Sequence, residues 1–192
     1  MKKIKLFGIS ISIIAVFVLI LLTSNGSKAA DTTVNLEITG GSINLDGPTS
    51  LDLGTIAISS ETGTISGQFQ DPNYFRVDDL AGDNGGYATT LQVTALNGPN
   101  GASIDNSLIE FKGGATPTKL AGRDNAGVII GTAIAGIYQV MGSEPVNYIM
   151  RDAGENNGLV GKYGDLLRVK ITIPPYQAVG SYSGTITFTM PE

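Results

Sequence analysis

From residue 30 onward the chain is built of short runs in which apolar and polar side chains alternate. VNLEIT (34–39), SINLDG (42–47), SLDLGTIAIS (50–59) and GTISGQF (63–69) come first. YATTLQVTAL (87–96), SLIEF (107–111) and LLRVKITI (166–173) follow. In the final run, Tyr182, Gly184, Ile186, Phe188 and Met190 fall on one side, and Ser181, Ser183, Thr185, Thr187 and Thr189 on the other. A period of two is the signature of a strand with one face on a core. Between the runs lie GG, DGP, GDNGG, NGPNG, KGG and ENNG, residues that tolerate positive φ and close tight turns. Many short strands with such turns predict an all-β fold, a single β-sandwich of Greek-key or immunoglobulin-like type over residues 30–192.

AGVIIGTAIAGIYQVM (126–141) is two-valued: its β-branched residues favour strand and its alanines permit a helical turn. Pro174 and Pro175 cannot donate to a ladder, so the strand before them ends at Ile173, and Gly180 permits the turn into the last run. DLAGDNGG (79–86) and KLAGRDNAG (119–127) resemble each other, but their flanking strands do not. Shared turn chemistry explains them better than a repeat.

The first 29 residues differ from the rest. Lys2, Lys3 and Lys5 precede the uncharged run LFGISISIIAVFVLILL (6–22), and Ser27 and Ala29 suit a small-residue cleavage site. Residues 1–29 therefore read as a signal peptide cut after Ala29. The alternative is an uncleaved membrane anchor, since the run is near the lower limit for crossing a bilayer. Either reading places the domain outside the cell, with the N-terminal segment its sole route to a membrane. Past that leader the chain has eight basic residues against all 17 acidic ones, a net charge of −9. Such a surface repels phosphate backbones and argues against nucleic acid as a partner. About 160 residues suffice for one core.

Cysteine, histidine and tryptophan are all missing. Disulfides, a lipid-modified cysteine, Ser-His-Asp and Cys-His catalysis and the usual zinc sites are thereby excluded. Among metals, calcium remains: Asp78, Asp79, Asp83 and Asn84 put four oxygen-bearing side chains within seven residues. Their spacing is not that of an EF-hand, and a turn whose Asx side chains bond their own backbone is the alternative. Asp152 and Glu155, with Asn156 and Asn157 in RDAGENNG, form a carboxylate pair of the kind glycosidases use, but in a polar, Gly-rich loop better suited to a solubilising surface. No organic cofactor is indicated. Of the seven tyrosines, Tyr138, Tyr148, Tyr163, Tyr176 and Tyr182 lie in the last third. They suit either a carbohydrate-stacking face or strand packing, with Tyr182 placed for a tyrosine corner.

Two segments resemble the WxL family of Gram-positive cell-surface domains. VDDLAGDNGGYATTLQVTAL (77–96) is similar to the family's proximal motif, with Gly86-Tyr87 for its Gly-Trp pair and Leu91 standing further on than the motif leucine. GSYSGTITFTM (180–190) is similar to the distal motif, with Phe188-Thr189-Met190 in place of Trp-x-Leu. The approach IPPYQAVGSYSG and the opening GGSINLDGPTSLDLGTI also resemble the family's. The resemblance implies a non-catalytic domain that is itself the anchor, bound non-covalently to peptidoglycan alongside other exported surface proteins. It points to Tyr87, Leu91, Tyr182, Phe188 and Met190 as wall- or partner-binding positions, with core burial the competing reading for Leu91 and Met190. A second expectation is a self-assembling pilus, fibre or surface-layer subunit, in which VNLEIT pairs with a neighbour's open sheet edge. A carboxylate-based glycosidase is the third.

Overall fold

A computed structural model describes residues 33–123, 127–155 and 160–191; the expected signal peptide, 1–29, lies outside them. The chain divides into a unit up to Ile38 and a compact unit from Thr39 onward, which carries every strand described. The strands are β1 (Ile43–Asp46), β2 (Gly63–Gln68), β3 (Phe75–Asp79), β4 (Tyr87–Val93), β5 (Leu96–Asn97), β6 (Ser103–Ile104) and β7 (Ile109–Lys112). Then come β8 (Thr118–Gly122), β9 (Val128–Ile130), β10 (Gln139–Val140), β11 (Val146–Arg151), β12 (Gly161–Asp165), β13 (Arg168–Ile173) and β14 (Ile186–Thr189). They form three four-stranded antiparallel sheets, β1-β3-β12-β8, β10-β7-β13-β2 and β14-β4-β11-β9, and a small β5-β6 pair. The fold is all-β and sandwich-like, as the alternation predicts. Among the described residues no helix is long and apolar enough to cross a membrane.

Alternation carries directly into burial. In β3, Phe75, Val77 and Asp79 are buried, while Arg76 and Asp78 stay half-exposed and pair with Asp46 and Lys162 on the neighbouring strands. In β4, Tyr87, Thr89, Leu91 and Val93 point inward. Thr89 is the polar exception, and the β4–β11 register accounts for it. The pairing shifts between Asn147 and Met150, where a bulge opens the ladder. The Thr89 hydroxyl donates to the Ile149 carbonyl (2.8 Å) and accepts from the Ile149 amide (2.9 Å), satisfying both main-chain groups.

Rings join the first and third sheets. Phe75, Tyr148 and Phe188 meet edge to face with centroids 5.6–5.9 Å apart, and Phe69 adds a fourth ring 5.1 Å from Phe75. Such contacts contribute about 0.5–1.5 kcal/mol each beyond the area they bury. The 126–141 stretch is both of its alternatives in turn: β9, then a single helical turn in which the amides of Ile134 and Ala135 donate to Gly131, then β10. Two expected strands, 34–39 and 50–59, run without turn or bend but join no ladder.

Two buried acids hold strand ends together. Asp79, closing β3, pairs with Arg151, closing β11, and both side chains are almost wholly buried. Arg151 also donates to the Gly85 carbonyl and lies 5.0 Å over the Tyr87 ring. Asp165, closing β12, accepts from the Gly114 amide (3.0 Å) and the Tyr148 hydroxyl (2.9 Å). Burial pushes Asp165 above its ordinary value of 3.8.

Removing one partner of the first pair strands a buried charge. Arg151→Leu is expected to cost about 3–5 kcal/mol in urea unfolding, and Asp79→Leu added to it to recover part of that loss. Additive losses would count against the pairing. For Asp165 the folded pKa is raised, so its stabilising contribution is present in full below 3.8 and fades as pH rises through the folded value. The stability of wild type relative to Asp165→Asn should therefore grow as pH is lowered from 7 toward 4. A difference independent of pH would refute the assignment.

Candidate functional site

The positions singled out by the motif resemblance are brought together, but facing inward. Leu91 and Phe188 are direct cross-strand partners between β4 and β14. The period of two that seats Leu91 also seats Tyr87, so both are core residues. Of the positions expected to bind, Tyr87 and Leu91 are therefore buried, which is the competing reading for Leu91, and Phe188 and Met190 are half-buried against the same core. The outer face of this strand pair carries Thr90 and Thr189, whose hydroxyls bond each other at 2.9 Å. Burial pushes the Tyr87 phenol far up, and its hydroxyl has no hydrogen-bond partner among the described residues.

Tyr182 is the tyrosine corner expected of it. Its hydroxyl donates to the Ala178 carbonyl (2.7 Å) and accepts from the Gln177 side-chain amide (3.0 Å), pinning the loop that leads into β14. The other tyrosines make no stacking platform. Tyr148 and Tyr163 are buried, and Tyr138 lies beneath the ammonium groups of Lys112 and Lys170, 5.5 and 4.7 Å from its ring. Tyr176 alone among the tyrosines is widely exposed, at 77%.

In the loop weighed between calcium and an Asx turn, the three carboxylates of Asp78, Asp79 and Asp83 are engaged separately. Asp78 pairs with Lys162 (2.8 Å) and Asp79 with Arg151. Asp83 accepts from the Gly85 amide (3.0 Å), as in an Asx turn, and the main-chain carbonyl of Asn84 accepts from the Gly154 amide (2.9 Å). Among the described residues no three His, Cys, Asp or Glu side chains gather to hold a metal. Asp152 and Glu155 are exposed on their loop; Asn156 and Asn157 lie outside the described residues.

What sequence reasoning missed is a groove of about 570 Å³. One wall is the unpaired run 52–58, the other the loop 177–182, and Ile65, Leu96, Ile104, Ile171 and Ile173 line it between them. The first wall sits close on β2 because two glycines allow it. A Cβ at Gly67 would meet Leu53 at 2.5 Å, and one at Gly63 would meet Ile56 at 3.0 Å. Gly54, with φ +80°, breaks the alternation, so Leu51 and Leu53 are half-buried while Ile56 and Ile58 are 43% and 60% exposed. Asp52 and Tyr182 are the ionisable residues of the lining, and both are engaged locally: Asp52 accepts from the Gly54 amide at 2.8 Å. Thr55, Gln177 and Ser181 are the other polar residues of the lining, and the rest of it is aliphatic or glycine. The one signal for it in the sequence was SLDLGTIAIS, an alternating run whose partner the pattern does not identify.

No protein-family model matches the chain, and no curated protein does. Among solved structures it is similar to a family 123 glycoside hydrolase from Clostridium perfringens, at 15% identity and a TM-score of 0.33. That match covers 71% of this chain and 19% of the hydrolase, so the chain spans about a fifth of the hydrolase's length; a likeness this low carries neither fold nor activity across.

Proposed function

We propose that this is a non-catalytic, exported bacterial cell-surface protein that works by adhesion, held without covalent bonds to peptidoglycan or to neighbouring exported surface proteins. One observation carries the reading: the groove between 52–58 and 177–182 is lined mainly by aliphatic side chains. Among the described residues, Asp79–Arg151 and Asp165–Tyr148 are spent on the fold, and Asp152 and Glu155 are exposed on a loop. General acid–base work on a glycosidic bond needs two carboxylates held across a cleft, one of them kept protonated by its surroundings. The WxL-like order of segments and the leader-like N-terminus support the same reading. With Tyr87 and Leu91 in the core, adhesion falls to exposed surface, including Tyr176, and to the groove rather than to the motif positions themselves.

The test has two arms. Protein secreted from the full chain should co-sediment with purified Gram-positive cell walls, or with walls still carrying their surface proteins, above an albumin control. It should release no sugar from a panel of glycans. Hydrolysis that Asp152→Asn and Glu155→Gln abolish would overturn the proposal, and so would failure to be retained on either wall preparation.

A further inference from the structure

We propose that the groove between residues 52–58 and 177–182 receives the Val34–Ile38 run of a second copy of this chain as an added β-strand, linking copies head to tail. This rests on the adhesive reading and names one partner for it. The groove states what its occupant must supply. The main chain of Thr55–Ile58 on one wall and of Val179–Tyr182 on the other makes no hydrogen bond among the described residues. Amides and carbonyls beside an aliphatic floor call for a chain that pairs its own backbone and points apolar side chains inward at every second residue.

One described run answers that demand. Residues 33–39, TVNLEIT, have neither turn nor bend and belong to no ladder. Val34, Leu36 and Ile38 are 87%, 84% and 86% exposed, an aliphatic row with no cover of its own. Asn35, Glu37 and Thr39 form the opposite, polar row. At about 6.6 Å between alternate residues the three aliphatic side chains span about 13 Å. The five-residue run Val34–Ile38 is long enough to pair the four residues of main chain, Thr55–Ile58, left open on the first wall. Donor and groove are different surfaces of one molecule, which makes the contact heterologous, and such contacts build linear chains unless the rotation closes them.

Two substitutions at exposed positions separate the halves of the contact. Leu36→Asp disables the donor and leaves the groove; Ile58→Asp puts a charge on the groove wall and leaves the donor. Wild-type protein, concentrated and followed by sedimentation velocity and electron microscopy, should form linear oligomers, whereas each variant alone should stay monomeric, with assembly weakened at least roughly tenfold by the buried charge. Mixed one to one, the variants should form a dimer and stop, since one intact donor and one intact groove remain. Wild type that stays monomeric at every concentration reached, variants that assemble as wild type does, or a mixture that gives no dimer would each overturn the proposal. Monomeric wild type that is still retained on cell walls would remove strand exchange and leave the adhesive reading standing. Glycan hydrolysis lost in the Asp152→Asn and Glu155→Gln controls would remove the adhesive reading while leaving observed oligomers to be judged by the mixing experiment.

Discussion

A run of chain with apolar side chains at every second position has two debts to settle at once: cover for that face, and partners for its amides and carbonyls. Most of this molecule is organised by that double requirement. Where both are met the run is a strand of one of the three sheets, and the meeting of Phe75, Tyr148 and Phe188 gives the cover. Where pairing is interrupted, as at the β4–β11 bulge, a side chain takes the ladder's place: Thr89 bonds both main-chain groups of Ile149. With no cysteine in the chain, such contacts and apolar burial must hold the fold without covalent help.

The same economy governs the buried charges. Asp79 with Arg151, and Asp165 with Tyr148 and Gly114, each close a strand end, and each bonds a group from a different strand or loop. A buried ion is tolerable only when its partners are fixed. Residues held that firmly for structure have little freedom to bind a metal or exchange protons with a substrate.

Much of the fold was legible because alternation is a local property. β1, β2, β4, β7, β13 and β14 lie within runs that the pattern picks out, and the tyrosine corner at Tyr182 follows from its place just before the last of them. β12, Gly161–Asp165, was not legible. Gly-Lys-Tyr-Gly-Asp has the composition of a turn, yet it is a central strand, and its glycines are there for proximity. A Cβ at Gly164 would meet Leu120 and Tyr74 at 3.0 Å. The candidate site fared worse for a related reason. Alternation says that Tyr87 and Leu91 share a face, but neither that Phe188 of another strand joins them nor which of a sheet's two faces is covered; register and burial decide both.

The two over-read runs, 34–39 and 50–59, show the limit from the other side. Period two predicts that a segment is able to be a strand; it says nothing about whether a partner exists in the same chain. In 50–59 the side chains are half settled, with Leu51 and Leu53 against the core and Ile56 and Ile58 largely outside it, while the backbone from Thr55 to Ile58 is left unpaired. In 34–39 neither requirement is met. A sequence that keeps a regular aliphatic row in water spends solubility on it, and exposed edges and strand-like rows are what soluble β-proteins ordinarily remove. Two such features in one chain, an open backbone and an uncovered aliphatic row, are better explained together than apart.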